Sequence, residues 1–154
     1  MLKKILIALG IIIVGIQFIP VDRSNPPVTQ EIDAPANVKS ILETSCYDCH
    51  SNKTNWPWYS YVAPVSFLVA GDVNEGREHL NFSEWDRYDG KKRAKILEEI
   101  LEEVEKGKMP LSQYTMAHPE AEMDRSKIAS LKDWIISPGN SEGHLRYQKN
   151  NEQD

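Results

Sequence analysis

Five consecutive residues, Cys46-Tyr47-Asp48-Cys49-His50, constrain this chain more than any other feature. Two thiols three positions apart lie on one turn of a helix, so both can reach one edge of a flat ring. The imidazole that follows projects toward the centre of the same ring. Only cysteine forms the two thioether bonds, and the histidine adds a nitrogen ligand. Cys-x-x-Cys-His is for this reason the attachment pattern of one covalent c-type haem, with Cys46 and Cys49 on its vinyl groups and His50 on its iron. Three other uses of these residues stand beside it. A thiol–disulfide pair wants a thioredoxin-like strand ahead of it, and no alternating strand is visible there. A zinc site wants four ligands, and only three cluster. A plain disulfide is compatible with an exported chain. With two cysteines in all, a multi-bridge scaffold is excluded.

The N-terminus points to export. Lys3 and Lys4 precede residues 5–19, in which Gln17 is the one polar side chain. A charged start and a short apolar run read as a secretory signal or a signal-anchor. No small-x-small cleavage site follows, and no cysteine near the end of the run offers a lipid anchor. An uncleaved anchor over residues 1–20 is therefore expected, with a cleaved signal peptide as the alternative. A helix over residues 2–19 would be about 27 Å long, close to a hydrocarbon core of about 30 Å. The lysines would stay on the cytoplasmic side, which puts the rest of the chain on the periplasmic side of the inner membrane. Covalent haem attachment in bacteria takes place outside the cytoplasm, in agreement with this. The formal net charge of −5 argues against a nucleic-acid partner.

Residues 21–33 carry Pro26 and Pro27 among polar neighbours and read as an extended linker. The domain expected over residues 34–137 is all-α. Asp33 is a candidate cap for a first helix, with Pro35 in its opening turn. On that helix Val38, Ile41, Leu42 and Ser45 share one face, which runs into Cys46 and Cys49. A helix over residues 64–80 is expected to be interrupted or loosened near Gly71 and Gly76. Ser83 followed by Glu84-Trp85-Asp86 reads as a capped short turn. The clearest helix is 91–106, where Ile96, Leu97, Ile100, Leu101 and Val104 repeat at helical spacing and Gly107 ends it. Asp124 caps a last helix carrying Ile128, Leu131, Trp134 and Ile135, which Pro138-Gly139 stops. Residues 138–154 form a polar, frayed tail.

A haem iron has a sixth position. Met109, Met116, Met123, His79, His118 and His144 carry suitable lone pairs. Met109 has the best context, because Pro110 holds it extended in a stiff loop directly after the long helix. Its plainer use is an apolar plug. Trp56, Trp58 and Tyr59 follow the cysteine motif at once, as domain core or as a haem-packing wall whose N–H and O–H groups meet a propionate. Arg77 is a candidate propionate partner, or a solvated ion pair with Glu75 or Glu78. Glu98, Glu99, Glu102, Glu103 and Glu105 read as the wet face of the long helix.

Several motifs carry a family resemblance. Cys46-Tyr47-Asp48-Cys49-His50-Ser51-Asn52, Trp56-Pro57-Trp58-Tyr59-Ser60, Ala63-Pro64-Val65-Ser66 and Asn81-Phe82-Ser83-Glu84-Trp85 together resemble the bacterial haem-binding domain family. Met109-Pro110, Tyr114-Thr115 and His118-Pro119-Glu120-Ala121 are similar to the same family, so that the resemblance covers residues 37–136. It implies a class I cytochrome c-like helical domain behind a single N-terminal membrane segment. It implies haem attachment at Cys46 and Cys49, the proximal ligand at His50, and a Met-Pro ligand position at Met109. Many members continue Met-Pro-Pro, whereas Leu111 stands here.

Two functions follow as expectations. In the first, His50 and Met109 saturate the iron of a membrane-tethered electron carrier, which is not an enzyme and which serves redox partner proteins at the membrane or in the periplasm. In the second, Met109 is displaceable and the site senses a small ligand or reduces peroxide, with His118 as distal acid/base.

Overall fold

The structure is a computed structural model, and it describes residues 1–137. Seven α-helices run in order: α1 (Leu2–Ile16), α2 (Ala36–Ser45), α3 (Tyr47–His50), α4 (Val65–His79), α5 (Gly90–Glu105), α6 (Ser112–Ala117) and α7 (Arg125–Ile136). Short 3-10 turns lie at Trp58–Tyr61, Trp85–Arg87 and Pro119–Ala121. Among the described residues there is no strand, only one isolated parallel bridge between Gln30 and Glu84. The all-α expectation agrees with this.

The core forms where α2 and α5 pack on α7. Val38 and Leu42 from α2 meet Leu97, Leu101 and Val104 from α5 and Leu131 and Ile135 from α7. Each such side chain, fully buried, contributes about 1.5–3 kcal/mol of transfer free energy. Helix ends follow local chemistry. The Asp89 carboxylate accepts from Lys92 N at 2.7 Å and starts α5. Asp124 accepts from Lys127 N at 2.8 Å and starts α7, as its position suggests. Gly107 ends α5 at a φ of 66°, a left-handed conformation that costs glycine nothing. Pro138-Gly139, the expected stop of α7, and the expected tail lie outside the described residues.

Other expectations need correction. Asp33 does not cap α2; Pro35 occupies that position, with no side-chain cap. Helix α4 runs through Gly71 and Gly76 without a break, because Gly76 is used for close packing instead of as a breaker. Helix α1 stops at Ile16, short of the expected residue 19. The next side chain is the reason. Gln17 Nε2 donates to Ala63 O at 3.1 Å, and Ala63 N donates to Gln17 Oε1 at 3.0 Å, so the chain turns out of the helix to dock on the domain. No helix among the described residues is long and apolar enough to cross a membrane. Nevertheless no residue of α1 is buried.

The expected linker is extended but not loose. Its proline-rich composition keeps it from coiling, and its backbone groups find partners on the domain instead of in water. Thr29 N donates to Ser83 O at 3.0 Å, Ile32 N to Phe82 O at 3.0 Å, and Trp85 N to Gln30 O at 2.8 Å. Asn25 Nδ2 donates to Thr54 O at 3.0 Å, and Ile32 enters the core.

Candidate haem site

Helix α3 holds the cysteine motif as one helical turn, entered through Cys46. It packs against α4 at Gly76, where a Cβ atom would stand 2.7 Å from Cys49 O. Only glycine permits this approach, and the approach orients the histidine. His50 Nδ1 lies 2.9 Å from Gly76 O and 3.2 Å from Leu80 O. Carbonyls only accept, so the proton sits on Nδ1 and Nε2 is left with its lone pair for a metal. Burial lowers the imidazole pKa, against the raising effect of the Leu80 and Gly76 carbonyls, and so favours the neutral form that ligation needs.

A cavity of about 720 Å³ opens beside this turn, within the usual size range of cofactor sites. Cys46, Cys49 and His50 line it from one side, Leu80 and Phe82 from the segment after α4, and Ile100 and Val104 from α5. Met109, Pro110, Leu111 and Tyr114 line it from the loop after α5 and from α6. Met109 is half-buried and packs on the core, its N–H donating to Glu103 O at 3.2 Å. Both thiols are free. Burial, then its neighbour Cys49, pushes the Cys46 thiol up to about 12; burial, then Asp48 and Asp72, pushes Cys49 up to about 11. A thiol–disulfide pair needs a depressed thiolate, and this environment does the opposite. No cluster of three or more histidine, cysteine or acidic side chains suited to a metal ion occurs among the described residues, which counts against zinc.

The haem pattern's nearest neighbours lock the turn in place. Phe82 N donates to His50 O at 2.8 Å, and the Phe82 ring stacks on Tyr47 and meets the His50 ring edge-on. Asn52 N donates to Ser83 Oγ at 3.0 Å, Asn81 Nδ2 to Asn52 Oδ1 at 2.8 Å, and Asn52 Nδ2 to Glu84 Oε1 at 3.0 Å. Ser51-Asn52 and Asn81-Phe82-Ser83-Glu84, two separate motifs in the sequence, are thus one buried polar network. Asp48 is held as well: Tyr114 Oη donates to its Oδ2 at 2.7 Å, and Asn55 N to its Oδ1 at 2.9 Å.

The remaining expected residues lie elsewhere. Trp56, Trp58, Tyr59 and Arg77 are not on the cavity wall. Trp56 has a buried Nε1 with no partner among the described residues, and Trp58 is exposed. Tyr59 Oη is 2.7 Å from His118 Nε2, and the His118 ring stacks on Tyr114 with Nδ1 3.2 Å from Glu120. Arg77 stands off the cavity wall, and its hydrogen bonds go to the N-terminal segment and the haem turn instead of to Glu75 or Glu78. Its Nε donates to Ser51 O, one Nη to Ser24 O, and the other to Asn25 Oδ1 and Thr54 Oγ1, all within 3.0 Å. It staples the N-terminal segment to the haem turn. Among the described residues no lysine or arginine lines the cavity, whereas Asp72, Glu75, Glu99, Glu102 and Glu103 do. The wet face of α5 is thus partly cavity wall. Among the other candidate ligands, His79 lines the cavity, whereas Met116 and Met123 do not; Met116 is exposed and Met123 packs on the core. His144 lies outside the described residues.

Sequence reasoning missed Ser45 as a lining residue, and its buried Oγ has no partner among the described residues. It also missed Gly76 as the packing point and Tyr114 as the holder of Asp48. Tyr114 stands in a quoted motif; Gly76 was visible as a glycine within a helical stretch, but nothing local marks it as a packing point.

Two thiols, an imidazole presented through Nε2, a thioether, an orphaned hydroxyl and an apolar wall in one cavity fit a haem. Comparison with curated proteins and with solved structures finds no match. Residues 11–137 match the model of the haem-binding domain. The chain belongs to the haem-binding domain family, and it is a haem-binding protein.

Proposed function

We propose that this chain carries a single haem covalently, through thioethers to Cys46 and Cys49 and with His50 and Met109 as axial ligands, and that it transfers single electrons on the periplasmic side of a membrane. The observation that carries the reading is the shared cavity: Cys46, Cys49, His50 and Met109 come from two separate segments and line one space. Thioether formation adds each thiol S–H across a vinyl group, which needs reduced cysteines and no oxidant; both cysteines are free. The bound haem supplies a one-electron iron couple, whose potential methionine–histidine ligation raises. Gly76 O and Leu80 O fix the His50 tautomer, and the Phe82 ring fixes its plane. Met109, on the loop after α5, would supply the second protein ligand to the iron.

Peroxide chemistry is supported less well, because His118, its candidate acid/base, is engaged by Tyr59, Tyr114 and Glu120 off the cavity wall. Export and tethering are supported by Lys3 and Lys4 in the first turn of α1 and by the apolar side chains that follow them, none of which is buried among the described residues. At about 22 Å, α1 is shorter than the hydrocarbon core, so an anchor here would need snorkelling lysines and local bilayer thinning to meet the difference.

The test is the purified holoprotein. Haem stain should survive denaturing electrophoresis and vanish in the Cys46→Ala, Cys49→Ala double variant; a parent protein that loses its haem on denaturation sinks covalent attachment. The ferric form should show a weak band at ~695 nm, typical of methionine ligation, which Met109→Ala abolishes. A high-spin ferric parent that shifts with cyanide would instead establish an open site.

A further inference from the structure

Two stretches of this chain are free of charge, residues 5–21 and residues 54–71, although charged residues make up 27% of the whole. The fold brings them together. The reciprocal amide pair between Gln17 and Ala63 joins the end of α1 to the middle of the second stretch. Around that joint the second stretch presents its large side chains outward: Trp58 is 79% exposed and Leu68 67%, and Tyr61, Val62 and Val65 are exposed with them. Phe18 is exposed on the α1 side of the joint. Trp58 and Tyr61 lie on the 3-10 turn, Val62 follows it in extended backbone, and Val65 opens α4, so these exposed side chains flank the Gln17–Ala63 joint on both sides of Ala63.

From this juxtaposition we infer that the Trp58–Tyr61–Leu68 face is a membrane-docking surface, seated in the headgroup region of the bilayer that α1 enters. The inference rests on the tethering proposed above and goes beyond it: the domain is held against the membrane in one orientation instead of swinging on a linker.

Three observations select a bilayer as the occupant. The face is continuous with the apolar α1 through the Gln17–Ala63 joint. It carries a tryptophan and a tyrosine, the residues that settle at the membrane–water boundary, and the Arg23 guanidinium lies 4.5 Å over the Tyr61 ring at its edge. Finally, there is no slack. Gln17, Arg23, Ser24 and Asn25 are all bonded to the domain, so a helix of about 22 Å in a core of about 30 Å draws the domain into the interface.

The experiment uses the full haem-loaded chain in phosphatidylcholine–phosphatidylglycerol vesicles. Tryptophan emission is compared between unlabelled vesicles and vesicles with a nitroxide near the lipid glycerol or at the acyl-chain end. The expected result is quenching by the shallow label that exceeds quenching by the deep one. Trp58→Phe should lower the shallow quenching by roughly twofold or more while the protein still floats with the vesicles. Val62→Glu with Leu68→Glu, both at exposed positions, should do the same with the wild-type tryptophans present. A protein that floats but whose quenching is indifferent to all these changes overturns the docking face and leaves the tether standing. A protein that does not float overturns both. A doubled mass in detergent, reversed by Leu68→Glu, with no shallow quenching, would assign the face to a second copy of the chain and overturn the bilayer.

Discussion

Gly76 shows how much one missing methyl group decides. A Cβ at this position would sit 2.7 Å from Cys49 O, well inside contact distance, and neither backbone can yield without moving α3. The same residue's carbonyl holds His50 Nδ1. Gly76→Ala is expected to destabilise the fold by about 1–3 kcal/mol and to lower haem loading, read by thermal unfolding and by haem absorbance per chain. Gly71→Ala, with open space at its Cβ, should do neither and should slightly stabilise α4. Two partly buried carboxylates contribute to the acid limit of the fold. Glu31 is held below the usual glutamate range by the hydrogen bond from Lys53, and Glu84 by those from Asn52 and then Arg87. A depressed carboxylate adds stability above its unfolded pKa, about 4.3, and loses it as the pH falls toward the lowered native value. Stability should therefore drop below about pH 5, and Glu84→Gln should flatten that acid limb in circular dichroism. The effect is modest, because both side chains are partly exposed.

At the scale of elements, the helix starts and the stapled N-terminal segment behave differently. Asp89 caps α5 through one hydrogen bond within three residues, so Asp89→Ala should cost about 1 kcal/mol and leave the haem site's spectrum unchanged. Arg77 reaches across more than fifty positions to Ser24 and Asn25 and also grips Ser51 and Thr54 next to the haem turn. Arg77→Met keeps most of the side-chain volume and removes all of these donors. The expected result is faster proteolytic cleavage within residues 22–29 and faster amide exchange there, while α5 and α7 keep their protection. Equal protection in both proteins would show that the remaining bonds of the segment, from Thr29 to Trp85, suffice alone.

For the whole molecule, the N-terminal segment, the haem turn and the Asn81–Glu84 stretch form one connected body. Pro27 O, Asn52, Asn81, Ser83 and Glu84 share a single polar network, which joins the N-terminal segment to the haem turn. Buried networks of this kind are costly when only partly satisfied. Asn52→Leu should therefore destabilise the fold by about 2–4 kcal/mol, through the unpaired Asn81 and Glu84 groups it leaves, and should loosen both regions together in hydrogen exchange. A loss confined to the haem turn would mean that the two regions are independent.

Much of this protein could be read before any tertiary contact was known. The haem pattern, the helical class, the glycine end of α5 and the aspartate start of α7 depend on residues within about four positions of one another, the range over which helix chemistry acts. The fold alone decided the rest. His50 finds its carbonyl 26 positions away, and Gln17 finds Ala63 46 positions away, and nothing local signals either pairing. The charge of Arg77 is visible in the sequence, but only the fold shows that four acceptors converge on it in space and make it a staple. Residues 21–33 looked like a free linker because proline prevents regular structure, but freedom depends on whether backbone groups find partners, and here they do. Local spacing determined which chemistry this chain can hold; long-range hydrogen bonds decided how the histidine is presented and how closely the domain is bound to its own N-terminal helix.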